Sequence, residues 1–207
     1  MAKVKICGIT NSEDAKASVD AGCDALGFVF YKKSPRYIAP VKARGIIRQL
    51  GRRVIKIGVF FNAREKTIRR AVKLCGLDML QFHGRESPEF CARFDGCKII
   101  KVFRIKGSAA PENLSRYKTS AYLFDTFVKS KAGGTGRKFD WKLLSRINNK
   151  ISCPVFLSGG LNEKNVREAV RSARPDWVDA SSSLEIKPGK KDPKKVREFI
   201  KAAGERA

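Results

Sequence analysis

The feature that most constrains this chain is one local pattern that repeats along it. Short apolar runs occur at Val4–Cys7, Ala25–Phe30, Val54–Phe61, Leu77–Phe82, Lys98–Phe103, Ala121–Phe124, Val155–Ser158 and Trp177–Ala180. After each comes a turn containing Gly, Asn, Asp or Ser, and then a charged amphipathic stretch. The runs carry too little polar alternation for strands with one wet face. They read as strands covered on both faces, the pattern of a parallel sheet packed under helices. Eight such units without a composition break predict a closed parallel (β/α)8 barrel, an α/β fold forming a single catalytic domain over 1–207. The alternative is an open doubly wound sheet. The repeat count and the absence of G-x-G-x-x-G after the first run both disfavour it.

Helix starts are marked between the runs. Asn11-Ser12-Glu13-Asp14 supplies cap oxygens and first-turn acids for the orphan amides of a helix. Ser87-Pro88 places a proline at a first helical position, and Asn162-Glu163 offers a cap after the seventh run. The spacing predicts helices over Glu65–Cys75, Trp141–Asn148 and Pro193–Ala203. A length of 207 residues sits near the lower bound for a complete barrel, and a 43% hydrophobic fraction is ample for its core.

No apolar run reaches the ~18 residues a membrane span needs, and the N-terminus shows no secretory apolar stretch. A cytoplasmic protein is expected. Its six cysteines, at 7, 23, 75, 91, 97 and 153, form no C-x-x-C pair, and His83 is the sole histidine. A zinc site made of close pairs and a two-histidine mechanism are therefore disfavoured, so no metal ligand is assigned. Cys23, Cys75 and Cys153 read as small core residues. Free thiols in this number suit a reducing compartment.

Lys and Arg total 44 against 20 Asp and Glu, a net charge of +24. Such a surface either neutralises nucleic-acid phosphates or is a solvated face that attracts an anionic substrate. The basic residues spread over Arg44–Arg53, Arg64–Lys73, Lys129–Lys142, Arg167–Arg174 and Lys187–Lys201, mostly on the amphipathic stretches. No aromatic-interleaved basic stripe or finger spacing accompanies them. The solvated reading is preferred, and nucleic acid is not expected as a partner.

In such a barrel, the C-terminal strand ends and the loops after them converge on one mouth. Those positions are Cys7-Gly8, Phe30 through Arg36, Asn62, Gln81 through Gly84, Arg104, Asp125, Ser158 through Gly160, and Asp179 through Ser182. Gly159 and Gly160 let backbone amides approach an anion without a Cβ in the way, and Ser181 and Ser182 add amides and hydroxyls nearby. Together these loops fit one phosphate. Cys7 and Asp125 end the first and sixth runs. A thiol titrates near ~8.5 and is lowered by nearby cations, whereas Asp125 after Tyr-Leu-Phe is placed to keep its proton as a general acid. Lys5 and Asp179 could also serve, so spacing leaves the assignment open. Arg36, stiffened by Pro35, offers a planar fork for a carboxylate or phosphate. Gln81 and His83 face the same mouth, His83 more as a hydrogen-bonding contact than as a catalyst. The run Gly133-Gly134-Thr135-Gly136 reads as a loop that closes over the mouth, and it lacks the G-K-[ST] of a Walker loop.

These blocks, in order, resemble one family. Lys5-Ile6-Cys7-Gly8-Ile9-Thr10 opens the match. Gly27-Phe28-Val29-Phe30 with Ser34-Pro35-Arg36, Gly58-Val59-Phe60 and Leu80-Gln81-Phe82-His83-Gly84 continue it. Asp125 with Gly133-Gly134-Thr135-Gly136, Leu157 through Leu161, Asp179 through Glu185 and Pro188 through Asp192 complete it. The chain is similar from end to end to phosphoribosylanthranilate isomerases of tryptophan biosynthesis. That resemblance implies an Amadori rearrangement of N-(5-phosphoribosyl)anthranilate, a small phosphorylated substrate, without metal or organic cofactor. It implies Asp125 as general acid, Cys7 as general base, Arg36 on the anthranilate carboxylate, and amides around Gly159, Gly160, Ser181 and Ser182 on the phosphate.

The chain departs from the family in two places. Ser181-Ser182-Ser183-Leu184-Glu185 stands where the family has Ser-Ser-Gly-Val-Glu, and a serine held at positive φ would cost about 1 kcal/mol or more. The charge of +24 exceeds what the reaction needs, and nothing in the residues explains it. A neighbouring barrel enzyme such as indole-3-glycerol-phosphate synthase would need a lysine-plus-glutamate mouth and an extra N-terminal segment, and neither is seen. The residues carry no signal of oligomeric state.

Overall fold

A computed structural model gives the architecture and describes residues 1–51, 54–105, 114–125, 141, 144–145 and 151–204. In chain order the strands and helices are β1 (Lys3–Cys7), α1 (Ser12–Asp20), β2 (Ala25–Val29), α2 (Pro40–Ile47), β3 (Ile55–Phe60), α3 (Glu65–Cys75), β4 (Met79–Phe82), α4 (Pro88–Ala92) and β5 (Lys98–Arg104). Then follow β6 (Ala121–Asp125), β7 (Val155–Ser158), α5 (Val166–Ala173), β8 (Trp177–Ala180), a short hairpin β9 (Glu185–Lys187) and β10 (Lys190–Lys191), and α6 (Pro193–Gly204). Strands β1 to β8 pair in sequence order and close into a barrel. The seam is a parallel β1–β8 pairing in which Val4 faces Val178 and Lys5 faces Asp179.

Alternation along the strands sorts their side chains into two layers. One set, including Ala25, Ile57, Ile100, Val102, Ala121, Leu123, Phe156 and Trp177, fills the barrel interior. Phe156 and Trp177 stack there at 4.7 Å between ring centroids. The intervening residues, among them Val4, Ile6, Leu26, Leu80, Val155 and Val178, pack outward with Ile68, Ala71, Val166, Val196 and Phe199 of the helices. Strands so placed are apolar on both faces, which is why the runs show little alternation.

Local chemistry fixes the helix ends. Asn11 caps α1 by accepting from the Asp14 amide, and Ser87 caps α4 from the Phe90 amide with Pro88 at the first position. Helix α3 spans the expected Glu65–Cys75 and stops at Gly76 in the left-handed region. After β7 the cap lies later than Asn162. The Asn162 side chain instead accepts from the Lys164 and Asn165 amides, and α5 begins only at Val166. The expected helix over Trp141–Asn148 is observed only at 141, 144 and 145, where the residues are helical. The Gly133–Gly136 run lies outside the described residues. The β9–β10 hairpin was not expected from its lysine-rich sequence.

Ser183 does not carry the strain its family position suggested. Among the described residues the non-glycines at positive φ are Asn62 and Arg174. Ser183 sits in a 3-10 turn over Ser182–Leu184, and its hydroxyl donates to the Leu161 carbonyl. The added hydroxyl thus ties the loop after β8 to the loop after β7. Among the described residues, no helix is long and apolar enough to cross a membrane.

Candidate active site

Above the apolar layers, the inward alternation continues to the C-terminal ends of the strands and turns polar. Cys7 of β1, Gln81 of β4, Asp125 of β6, Ser158 of β7 and Asp179 of β8 face the mouth of one cavity of about 520 Å³. His83, Arg36, Gly159, Gly160, Ser181 and Ser182 line the same cavity from the loops. Cys7, Arg36, Gln81, His83, Asp125, Gly159, Gly160, Asp179, Ser181 and Ser182, all singled out in the sequence, are therefore brought to one place. Asn62 lies apart from it. Its backbone amide donates to Glu86 Oε1 and its side-chain oxygen accepts from the Arg85 amide at the rim.

Beneath Cys7 lies an ion pair that the apolar reading of the first run hid. Lys5 is fully buried, and its Nζ donates to Asp179 Oδ1 at 2.8 Å. Gly27 on β2 makes this packing possible, since a Cβ there would come within 2.7 Å of Cys7 Sγ and 3.2 Å of Lys5 Cε. Burial pushes the Cys7 thiol above its ordinary value, the Lys5 ammonium opposes that rise, and the Asp179 carboxylate adds to it. Burial alone would lower Lys5, but Asp179 and Cys7 together more than offset this and hold the ammonium charged. Here the structure corrects the expectation of a lowered thiol: the neutral thiol is the favoured form.

Arg36 is held by a second network. Its Nε and Nη2 donate to the two Glu185 oxygens at 2.8 and 2.7 Å, and Lys191 Nζ donates to Glu185 Oε1 at 2.9 Å. Burial would raise the Glu185 carboxyl, but these two cations hold it below the ordinary carboxylate range. Glu185 thus occupies one edge of the guanidinium. The five N–H donors of an arginine leave the end-on edge for an anion in the cavity. Glu185 and Lys191 lie in the matching blocks of the sequence, but only the fold shows that they brace Arg36.

At the rim of β4 and β5, Lys101 Nζ donates to Glu86 Oε2 and to the Gly84 carbonyl, both at 2.9 Å. Both side chains are buried. Glu86 also accepts from the Asn62 and Gly84 amides. His83, which leaves β4 beside this brace, places its Nε2 3.5 Å from Asp125 Oδ2. The lysine interrupting the fifth apolar run was the available signal for this pair. Sequence reasoning also missed an aromatic wall, Tyr31 against Phe61 at 4.9 Å between centroids, with the Arg104 guanidinium 6.0 Å from the Phe61 ring. The apolar run Val54–Phe61 predicts Phe61 as the last residue of a strand, whereas β3 ends one residue earlier and Phe61 lines the cavity.

The anion loops have the backbone expected of them. Gly159 and Gly160 have φ of 105° and 69°, a region that side chains disfavour. Ser181 Oγ donates to the Cys7 carbonyl at 3.0 Å, and Lys191 Nζ reaches the Ser181 carbonyl. The loop after β8 is thereby fixed against the end of β1.

A closed parallel barrel with an acid, a buried thiol and glycine-lined loops at its C-terminal mouth defines a (β/α)8-barrel enzyme. The family model for N-(5'phosphoribosyl)anthranilate (PRA) isomerase matches residues 4–202. The chain belongs to that family. It is 49% identical over 208 residues to the N-(5'-phosphoribosyl)anthranilate isomerase of Desulforudis audaxviator, covering 99% of both chains. To that of Citrifermentans bemidjiense it is 47% identical over 203 residues, covering 98% of this chain and 97% of the relative. The phosphoribosyl anthranilate isomerase structure from Thermotoga maritima superposes with a TM-score of 0.87 at 40% identity, with 98% of each chain covered. A phosphoribosyl anthranilate isomerase in complex with reduced 1-(o-carboxyphenylamino)-1-deoxyribulose 5-phosphate gives 0.85 at 38% identity, again over 98% of each.

Proposed function

We propose that this chain catalyses the Amadori rearrangement of N-(5-phosphoribosyl)anthranilate to 1-(2-carboxyphenylamino)-1-deoxyribulose 5-phosphate in tryptophan biosynthesis. The observation that carries this reading is the placement of Cys7 and Asp125 on different strands of one cavity that also holds the glycine and serine loops. Asp125 donates a proton to the furanose oxygen, and the ring opens as the C1–O bond breaks and the nitrogen lone pair forms the Schiff base. Cys7, as thiolate, removes the C2 proton, and the electron pair moves to give the neutral enolamine, which tautomerises to the ketone. Asp125 has lost one proton and Cys7 has gained one, so exchange with solvent resets the pair. Backbone amides around Gly159, Gly160, Ser181 and Ser182 hold the phosphate. The end-on edge of Arg36 meets the anthranilate carboxylate, and the Tyr31–Phe61 wall packs on its ring. Asp179 contacts the sugar from the floor beside Cys7. The six free cysteines suit a reducing compartment, so we place the enzyme in the cytoplasm.

The direct test is a fluorescence assay following the loss of phosphoribosylanthranilate by the purified chain. Turnover in the range of about 1–10³ s⁻¹ is expected, and its absence overturns the reading.

Lys5 acts through Cys7 as a positioning residue, because its ammonium opposes the burial that keeps the thiol protonated. Lys5→Met is expected to move the pH profile of kcat/KM upward, since the base must be ionised and its pKa rises. Alkylation of Cys7 by iodoacetamide, followed by peptide mass spectrometry, reads the same shift without substrate. Each unit of rise should slow alkylation near neutral pH about three-fold, the tenfold loss of thiolate being partly offset by its greater nucleophilicity. An unchanged alkylation profile would remove Lys5 from this role.

A further inference from the structure

An acid must arrive at its substrate already protonated, and the contacts behind Asp125 suggest how this happens. Gln81 is buried, and its Nε2 lies 3.2 Å from His83 Nδ1. Its Oε1 is buried as well, and among the described residues no hydrogen-bond donor reaches it. His83 Nε2 continues the contacts to Asp125 Oδ2 at 3.5 Å. Gln81, His83 and Asp125 therefore form one chain of contacts from the barrel interior to the mouth.

An imidazole with one proton carries it on either nitrogen, and its neighbours decide which. When Gln81 Nε2 donates to Nδ1, the ring proton sits on Nε2 and points a donor at Asp125, which favours the carboxylate. When the amide is turned over, Oε1 accepts from Nδ1–H. Nε2 then offers a lone pair that holds the protonated carboxyl. The amide oxygen and nitrogen fill the same space. In the first orientation Oε1 is left without a donor, and in the second the NH2 group takes its place. Neither orientation satisfies both ends, so the surroundings do not lock the amide.

We propose that Gln81 is a positioning residue that loads the acid: by turning its amide against His83 Nδ1, it switches His83 between donating to Asp125 and accepting from it. A solvent proton enters at Nδ1 as the amide turns, and the Nε2 proton passes to Oδ2. The ring stays neutral and Asp125 gains one proton, which it gives to the furanose oxygen. The inference rests on the acid role assigned to Asp125 above. Among the described residues, the charged or titratable groups around this chain of contacts include Arg104, which pairs with Asp125 in register on β5, the mutually neutralising Lys101 and Glu86 behind His83, and Cys7, Lys5, Asp179, Tyr31, Lys33 and Arg36 around the mouth. Gln81 lies within hydrogen-bond distance of Nδ1, so its amide orientation bears directly on which ring nitrogen carries the proton.

His83 is the only imidazole in the chain, so its two nitrogens can be read without ambiguity. The experiment is a long-range 1H–15N spectrum of 15N-histidine-labelled protein, titrated from about pH 8 to about pH 4 across the carboxyl and imidazole ranges. The Asp125 side-chain 13C signal is followed in parallel. In the wild type the Nε2–H form is expected at the upper end. When the His83–Asp125 pair takes up its first proton, the expected product is a neutral Nδ1–H ring beside a protonated Asp125 carboxyl, not an imidazolium beside a carboxylate. Gln81→Met is expected to uncouple the two titrations and to lower kcat about ten-fold with KM little changed. Gln81→Glu, a fixed acceptor when ionised, should hold the Nδ1–H form to higher pH and move the alkaline limb of kcat upward by about one unit.

A single neutral His83 tautomer down to the first protonation of the pair, or an imidazolium formed while Asp125 is still ionised, overturns the proposal, even if neither variant folds. So does a Gln81→Met protein whose spectrum and pH profile match the wild type. The spectra need no substrate, so they separate this proposal from the isomerase reading. Coupled titrations without turnover would refute only that reading, and turnover without coupling would refute only the loading role.

Discussion

Asp125→Asn is expected to lower kcat by about 10²–10⁴-fold, the span that general acid–base catalysis contributes. KM should change little, because an amide keeps the shape and polarity of the carboxyl while losing its transferable proton. The variant can still accept a hydrogen bond from His83, which lies 3.5 Å from Asp125 Oδ2 in the native protein. A loss of rate would therefore report the missing proton and not a collapsed rim. Cys7→Ser should fall in the same range, because a serine hydroxyl beside Lys5 is far too weak an acid to ionise near neutral pH. Steady-state fluorescence kinetics on both variants decides the assignment. Retention of more than about a tenth of wild-type kcat in either would remove that residue from its role.

The second large effect concerns stability. Lys101→Met removes the ammonium that neutralises Glu86 where both side chains are buried, at 3% and 2% exposure. Removing one partner of a buried pair leaves an uncompensated charge and costs about 3–5 kcal/mol. For a chain of this size, that lowers Tm by roughly 6–20 °C. Adding Glu86→Gln to Lys101→Met should restore part of the loss at neutral pH, since a neutral amide oxygen can still accept from the Asn62 or Gly84 amide. Thermal melts of the two variants beside the wild type at neutral pH test this. A Tm for Lys101→Met within about 2 °C of wild type would show that the pair is not what braces the rim.

Much of this was legible in the residues because the barrel repeats a short-range rule. A buried parallel strand must be apolar on both faces, so each run announces itself. Strand ends were read to within two residues, β4 being the shortest against its expected run because Leu77 and Asp78 belong to the turn. The cavity-lining set followed from one more step, since parallel strands closing into a barrel bring all their C-terminal ends to one mouth.

What stayed hidden depends on pairs far apart in sequence. Lys5 meets Asp179 and Arg36 meets Glu185 across separations of 174 and 149 residues. No spacing pattern encodes those partnerships. The amphipathic helices also absorbed the basic residues without explaining their number.

By itself the sequence determined the eight-fold alternation, the barrel it requires, and which side chains reach the mouth, because hydrophobic burial and helix capping act locally. Only the tertiary structure decided the electrostatic state of those side chains. A thiol raised by burial and opposed by a paired lysine, an arginine already clamped by a glutamate, and a histidine whose tautomer hangs on one amide all arise where desolvated charges from distant strands meet. Coulombic and hydrogen-bond energies depend on distance and burial, and both exist only once the chain has closed.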